Sequence, residues 1–128
     1  NGVVTTGTAD WADYSVKSII TFSQQDAAGL VARAKGHRRY YGAVLTEGCA
    51  LIYRQEDEKR IEIARKPYDY KIDHTYDLEF RVKGDDLKML INGEIAAEGK
   101  DASYDRGQTG FVVDAGAILG DGFEVRRL

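Results

Sequence analysis

One alternating segment, from Tyr76 to Glu98, constrains the fold of this chain more than any other feature. Between Tyr76 and Lys83, apolar residues alternate with charged ones, which is the period-two pattern of a half-buried β-strand. A second apolar alternation leads into Asn92-Gly93, the dipeptide best suited to a type I′ turn, because both of its central residues need a positive φ. The sequence therefore predicts an antiparallel meander over this segment.

The rest of the chain repeats this pattern in short segments rich in Val, Ile, Tyr and Phe. Fourteen glycines punctuate them, against a single proline, at a spacing typical of sandwiches and barrels. Further strands are predicted at Tyr14–Phe22, Gly29–Lys35, Arg38–Leu45, Ala50–Gln55, Arg60–Arg65, Thr109–Asp114 and Phe123–Arg127. About ten antiparallel strands cannot bury an apolar face in one flat sheet, so two packed sheets or a closed barrel are expected. We expect residues 1–128 to form one all-β domain, excised from a larger chain.

Composition narrows the class of partner. Hydrophobic residues make up 43% and charged residues 30%, a balance typical of globular domains. The net charge of −3 lacks the basic excess of nucleic-acid-binding domains, and no apolar run approaches the roughly eighteen residues of a membrane helix. The single cysteine, Cys49, excludes an internal disulfide and a CxxC metal site. We expect neither a nucleic-acid nor a membrane partner. Localisation stays open, with the cytoplasm slightly favoured.

Several motifs occur in an order that characterises one fold family. They are Trp11-x-Asp13-Tyr14-x-Val16, Ala28-Gly29-Leu30-Val31-Ala32-Arg33, Arg39-Tyr40-Tyr41-Gly42-Ala43-Val44-Leu45, Tyr76-Asp77-Leu78 with Ile91-Asn92-Gly93, and Gly107-Gln108-Thr109-Gly110-Phe111. The ordered set, which covers nearly the whole chain, resembles the concanavalin A-like, laminin-G-like jelly roll. The resemblance implies a two-sheet antiparallel jelly-roll sandwich of the lectin/glucanase type and a packing role for Trp11. It also implies an accessory module, often carbohydrate-binding, attached to a larger enzyme.

A narrower likeness concerns the first third of the chain. The sequence ADWADYSV, followed by GLVARAKGHRRYYGAVL, is similar to the C-terminal modules found behind ADP-ribosylglycohydrolase-type catalytic domains. This likeness implies a hydrolase as the parent chain.

Hairpin registers predict which side chains share a sheet face. We place turns at Gly36, at Gly48 and at Asp57-Glu58, and side chains then alternate between the two faces of each strand. One face gathers aromatic and ionic side chains, namely Arg33, Arg39, Tyr41, Tyr53, Gln55, Arg60 and Glu62. The opposite face gathers Leu30, Ala32, Tyr40, Val44, Ile52, Ile61 and Ile63, with Arg54 as its ill-fitting member.

The polar face has the chemistry of a sugar site. Tyrosine rings offer flat apolar surfaces to a sugar ring, and arginine forks and a carboxylate hydrogen-bond vicinal hydroxyls. The predicted ligand-binding residues are Arg33, Arg39, Tyr41, Tyr53, Gln55 and Glu62. The same groups suit an ADP-ribose-like sugar nucleotide. Two alternatives stay open: the face only stabilises the sheet, or it is a structural or dimerisation surface that docks on a parent catalytic domain.

The sequence contains no constellation that would make this chain an enzyme. Glycoside hydrolysis needs two carboxyls facing one bond, and neither that spacing nor a nucleophile elbow or phosphate-binding loop occurs. We therefore expect a non-catalytic module without a cofactor. A structural calcium is the one metal considered, because related domains often hold one and calcium takes six to eight oxygen ligands. Its candidate ligands are Asp10, Asp13, Asp114 and Asp121.

Overall fold

Two antiparallel sheets make up the described chain. The computed structural model describes residues 2–7, 10–22, 27–71, 73–113, 117–119 and 123–128. Its strands are β1 (Gly2–Thr6), β2 (Tyr14–Phe22), β3 (Ala28–Ala34), β4 (Arg39–Thr46), β5 (Cys49–Glu56), β6 (Lys59–Pro67), β7 (Thr75–Lys83), β8 (Asp86–Ile91), β9 (Glu94–Lys100), β10 (Gln108–Val113), β11 (Ala117–Leu119) and β12 (Glu124–Arg127). Sheet A has the order β1-β10-β3-β4-β5-β6, and sheet B the order β11-β2-β7-β8-β9, with β12 also paired to β2. The predicted two-sheet all-β architecture is confirmed.

The strands predicted from apolar alternation are present, with ends displaced by one or two residues in most cases. The predicted meander is β7-β8-β9, and Asn92 and Gly93 adopt φ values of 53° and 86°, as a type I′ turn requires. The sequence analysis missed β1 and β11, which are short segments without an alternating pattern. No helix of the described chain has the length and apolar character to cross a membrane.

The main core lies between the two sheets. Inward-facing side chains of β7 (Tyr76, Leu78, Phe80 and Val82) pack against inward-facing side chains of β3, β4 and β5, such as Leu30, Tyr41 and Ile52. All of these are at most 8% exposed. The alternation that predicted the strands therefore also defines which residues form the core.

A buried arginine ties the two sheets together at one end of the sandwich. Arg33 is 1% exposed, and its guanidinium donates hydrogen bonds to four different groups. The acceptors are the carbonyl oxygens of Ala12 (2.9 Å), Gly84 (2.6 Å) and Tyr104 (3.1 Å) and the Oδ1 atom of Asp13 (3.1 Å). These acceptors belong to the segment before β2, the β7–β8 turn and the segment between β9 and β10, so one side chain from sheet A fixes three connections.

The backbone at Arg33 is bent to allow this placement. Arg33 has a φ of 52°, and the β3–β10 register shifts beside it, which is the geometry of a bulge. The Tyr14 hydroxyl accepts a hydrogen bond from the Arg33 backbone N–H (2.6 Å) and donates to the Gly107 carbonyl oxygen (3.2 Å). Gly107 comes so close that a Cβ there would lie 2.5 Å from the Ala34 carbonyl oxygen. The bulge therefore depends on a glycine and a buried tyrosine next to it.

Replacing Arg33 by Met should lower the free energy of unfolding by about 3 kcal/mol or more, because three carbonyl oxygens around the buried guanidinium lose their donor and Asp13 loses its counter-charge. Urea denaturation at neutral pH measures this change. The exposed Arg39, which pairs only with Asp57, provides the control: Arg39→Ala should leave the urea midpoint close to that of the wild type. Equal effects of the two substitutions would contradict the role assigned to Arg33.

Alkaline pH should destabilise the fold through Tyr14. Burial raises the pKa of Tyr14 to about 12, despite opposing contributions from Arg33 and Thr109. The raised pKa stabilises the folded state below the ordinary tyrosine pKa of about 10, and this stability is lost as the pH rises from there towards 12. The urea midpoint should therefore fall above pH 10, and more gradually in Tyr14→Phe than in the wild type. Identical slopes in the two proteins would contradict this prediction.

Candidate functional site

The outer face of sheet A, which points away from sheet B, forms a concave groove. β1 and β6 are the opposite edges of this sheet, and in a flat sheet they would lie about 24 Å apart. Val3 of β1 and Arg60 of β6 nevertheless line the same cavity, of about 280 Å³. The sheet must therefore curve strongly towards this side.

The floor of the groove is a second hydrophobic cluster that does not contact the main core. Its members are Val31, Ala34, Tyr40, Val44, Leu51, Tyr53 and Val112. Tyr53 is fully buried because its ring lies over Gly42, where a Cβ would meet the ring at 2.4 Å. The Tyr40 and Tyr53 rings meet edge to face, and their hydroxyl oxygens are 3.3 Å apart.

Arg60 covers this floor from above. Its guanidinium carbon lies 4.1 Å from the centre of the Tyr53 ring, within the range of a cation–π interaction. His37, Tyr40, Gln55 and Glu58 line the same cavity. The groove thus combines a guanidinium fork, a carboxylate, an imidazole and an amide above an apolar floor.

Two charges in the groove have no counter-charge. Nearby charged groups do pair, Arg39 with Asp57 and Arg65 with Glu62. In the part of the chain that the structure describes, however, neither Arg60 nor Glu58 forms an ion pair. A cation and an anion that line one small cavity without pairing can bind a ligand carrying both hydrogen-bond donors and acceptors.

Glu62 lies on the same face, farther from the cavity. It pairs with Tyr53 across the β5–β6 hairpin, as the sequence predicted. Its carboxylate accepts hydrogen bonds from Arg65, and these hydrogen bonds lower the pKa of Glu62. Tyr53, Gln55 and Glu62 thus share one face, and their role in ligand binding stays a prediction.

Three predicted members of the face are elsewhere. Arg33 is buried in the hydrogen-bond network described above, and Tyr41 is fully buried in the core between the sheets. Arg39, two residues before Tyr41 and on the same side of β4, is exposed at the strand end and pairs with Asp57. The prediction that these residues share a face with Tyr53 is wrong.

The error arose in two hairpins. The prediction paired Ala43 with Tyr53, whereas the structure pairs it with Ile52, because the turn is a two-residue one in which Glu47 and Gly48 both have a positive φ. Between β3 and β4, Val31 pairs with Gly42 rather than with Tyr41. A one-residue slip moves every side chain to the other face, so β4 was inverted relative to β3 and to β5.

The corrected register accounts for the ill-fitting Arg54. It faces the sandwich interior and forms an ion pair with Asp101 at the open edge of the core. The Asp101 carboxylate also accepts hydrogen bonds from the Tyr41 hydroxyl (2.6 Å) and the Ser103 backbone N–H (2.8 Å). Burial works against ionisation of Asp101, but these hydrogen bonds and Arg54 hold its pKa below the usual range. Tyr41 is therefore a structural residue of this network.

The sequence analysis missed Tyr40, His37 and Glu58 as groove residues. Tyr40 was assigned to the apolar face by the register error, and the other two lie in turns, outside the alternating strands that guided the prediction. The signal for the correct register was Glu47-Gly48, a two-residue turn with glycine in second position.

The described residues bring together no group of three side chains that could hold a metal ion. Asp13 Oδ1 accepts hydrogen bonds from Arg33 and from the Gly84 backbone N–H, so this atom is already used within the protein. The predicted calcium ligands were Asp10, Asp13, Asp114 and Asp121. Of these, Asp114 and Asp121 lie outside the described residues.

Comparison with known proteins places the fold. No protein-family model and no curated protein matches the chain. Among solved structures, the carbohydrate-binding module CBM66 from Bacillus subtilis superimposes with a TM-score of 0.83 and 21% identity, over 90% of this chain and 75% of that chain. The fold is a lectin-like jelly roll.

Two further structures share it. Galectin LEC-6 from Caenorhabditis elegans gives a TM-score of 0.65 with 14% identity, over 99% of this chain and 90% of the galectin. Domain 4 of AbnA, an extracellular arabinanase from Geobacillus stearothermophilus solved in complex with arabinotriose, gives 0.68 with 14% identity, over 98% of this chain and 66% of that one. At these identities the likeness establishes the fold, and the predicted lectin-like sandwich is confirmed. The link to ADP-ribosylglycohydrolase-type proteins stays a prediction.

The groove should depend on the absence of a side chain at position 42. A methyl group in Gly42→Ala would overlap the Tyr53 ring, which must move and displace Arg60. We expect the free energy of unfolding to fall by about 1–3 kcal/mol, as in other overpacked sites. Tyr53→Phe, which keeps the ring and removes the hydroxyl that lies 3.3 Å from that of Tyr40, should cost less. Urea denaturation of both variants tests this order, and a neutral Gly42→Ala would contradict it.

Proposed function

We propose that this chain is a non-catalytic carbohydrate-binding module that holds a saccharide unit in the concave groove of sheet A. The observation that carries the proposal is the pair of unpartnered charges, Arg60 and Glu58, in one small cavity with His37 and Gln55. The likeness to structures described as a carbohydrate-binding module and as galectins supports it.

The ligand class follows from the mixture of groups. A sugar presents neighbouring hydroxyls, each of which donates and accepts hydrogen bonds, so one hydroxyl can accept from the Arg60 fork while another donates to Glu58. A phosphate or pyrophosphate could accept hydrogen bonds from Arg60 but would be repelled by the Glu58 carboxylate. The groove therefore favours an uncharged saccharide over an ADP-ribose-like ligand.

The tyrosines support the site rather than contact the sugar. Tyr40 and Tyr53 are at most 3% exposed, and Arg60 covers the Tyr53 ring, so neither ring offers an open face for a ligand to stack on. Stacking on Tyr53 instead holds the Arg60 guanidinium in place, which reduces the side-chain entropy lost on binding. The predicted role of tyrosine as a stacking surface is thereby replaced by an arginine platform.

The size and exposure of the groove set the expected affinity. A cavity of about 280 Å³ is smaller than most drug-binding pockets, so we expect it to hold one sugar ring. Hydrogen bonds contribute about 0.5–1.5 kcal/mol each, so four of them predict a dissociation constant on the order of 1 mM. Useful avidity would then require more than one binding site or module.

Isothermal titration with arabinotriose, a furanose trisaccharide, and with lactose, a pyranose disaccharide, tests the proposal after a glycan array has ranked sugars of both kinds. We expect at least one of the two probes to bind, and Arg60→Ala and Glu58→Gln to weaken its binding at least tenfold, which is about 1.4 kcal/mol. ADP-ribose is the competing probe and should bind more weakly.

The matched control is Arg81→Ala, an exposed arginine of sheet B that donates to Glu79 and lies outside the groove. It should bind as the wild type does. Calorimetric binding whose affinity and stoichiometry both stay those of the wild type in Arg60→Ala and Glu58→Gln, or a wild type that binds neither sugar and nothing on the array, would overturn the proposal. In the latter case, a change of oligomeric state in Arg60→Ala, measured by sedimentation, would point to a dimerisation surface instead.

A further inference from the structure

A second and larger cavity, of about 570 Å³, opens beside the start of β2. It is lined by the segment from Asp10 to Tyr14 and by Val125, Arg127 and Leu128 at the end of the chain. It shares no lining residue with the groove of sheet A. Neither the proposed function nor the hydrogen-bond network around Arg33 accounts for its aromatic and charged lining.

One wall of this cavity contains Trp11, the only tryptophan of the chain. Its ring packs against Gly7, where a Cβ would lie 2.4 Å from the ring, and meets Tyr14 edge to face at a centroid distance of 5.8 Å. The predicted packing role is therefore confirmed, yet Trp11 is only half-buried and part of it is exposed in the cavity. A fixed, partly exposed indole is a surface on which the C–H face of a sugar ring can stack.

Arg127 has an unusual position for an arginine. It pairs with Tyr14 across β12 and β2, two residues after Val125, which pairs with Val16 and packs against the main core. Arg127 is therefore on the inward side of β12, at the rim of the sandwich. Within the described ranges of the chain it has no ion pair or hydrogen bond, so its guanidinium can bind a ligand in the cavity.

Two carboxylates complete the lining. Asp13 keeps Oδ1 bonded to Arg33 and to the Gly84 N–H, which fixes the carboxylate at the cavity wall. Asp10 lines the same wall, three residues away. An anion would be repelled by these two carboxylates, and an ammonium ion, which only donates hydrogen bonds, would leave the Arg127 donors without an acceptor. An uncharged polyol can use the carboxylates as acceptors and Arg127 as a donor at once.

We propose that this cavity is a second saccharide-binding site, in which a sugar ring stacks on Trp11 while its hydroxyls bind Arg127, Asp10 and Asp13. The module would then hold two units of a glycan, or two glycan chains, at separate places. This site stands independently of the groove on sheet A, because the two have no residue in common.

The single tryptophan makes the test selective, because only this cavity contains an indole. Arabinotriose and lactose are titrated while Trp11 fluorescence and the indole N–H signal in an ¹⁵N-correlation spectrum are followed. We expect a saturable change with at least one probe. Arg127→Gln and Asp10→Asn should each raise the midpoint of that change at least fivefold.

Two comparisons separate this site from the groove. Arg60→Ala, which removes the groove's guanidinium, should leave the Trp11 titration as in the wild type. Arg127→Gln should leave only one set of binding sites, that of the groove, in the calorimetric titration. Arg65→Ala, an exposed arginine already paired with Glu62, is the matched control and should change neither readout. Since the Arg127 side chain is exposed, Arg127→Gln should keep the urea midpoint of the wild type. The urea midpoint of Asp10→Asn is measured alongside, so that a loss of binding is separated from a loss of stability.

The result that would overturn the second site is the absence of any Trp11 response to both probes, or a response that Arg127→Gln and Asp10→Asn leave unchanged. A Trp11 response that disappears in Arg60→Ala would also overturn it, because the indole would then be reporting on the groove. Failure of the groove alone would appear differently, as calorimetric binding that Arg60→Ala does not alter while the Trp11 response persists.

Discussion

The fold depends on the placement of one guanidinium. Arg33 donates to Ala12, Gly84, Tyr104 and Asp13, and so joins sheet A to three connecting segments of the chain. A hydrophobic core alone would hold the sheets together but would leave these segments free to shift. Because a buried guanidinium is costly unless its donors are satisfied, the segments have a single favourable arrangement. The cavity beside the start of β2 is lined by one of these fixed segments, which includes Ala12 and Asp13.

The sequence predicted the positions of the strands better than it predicted which side chains share a sheet face. Alternation in β7 and the Asn92-Gly93 turn predicted the meander, because both are local signals. The faces of β3, β4 and β5 depended on turn lengths, and Glu47 takes a positive φ that a non-glycine residue seldom adopts. That residue accounts for the wrong β4–β5 register, and the β3–β4 register was wrong as well. The bulge at Arg33 was not predicted either, since the four acceptors of the Arg33 side chain lie far from it in the sequence.

The candidate site was likewise predicted only in part. The β5–β6 hairpin was predicted in the right register, so Tyr53, Gln55 and Glu62 do lie on one face. No pattern in the sequence predicted that Tyr53 is buried on the outer side of sheet A. Its burial requires the sheet to curve and a glycine to lie beneath the ring. The ring serves as a base for Arg60 of β6, and the groove is completed by Gln55 of β5 and by His37 and Glu58, which lie in turns.

In the groove, the residues that shape the sheet differ from the residues of the turns that line the cavity. Tyr40 and Tyr53 hold the curved sheet in shape, so a change there alters stability and binding together. His37 and Glu58 lie in the β3–β4 and β5–β6 turns and support nothing beneath them, so they are free to vary without cost to the fold. Exchanging these two turn residues would therefore change the lining of the groove, while the two tyrosines and the Arg60 guanidinium above them stay in place.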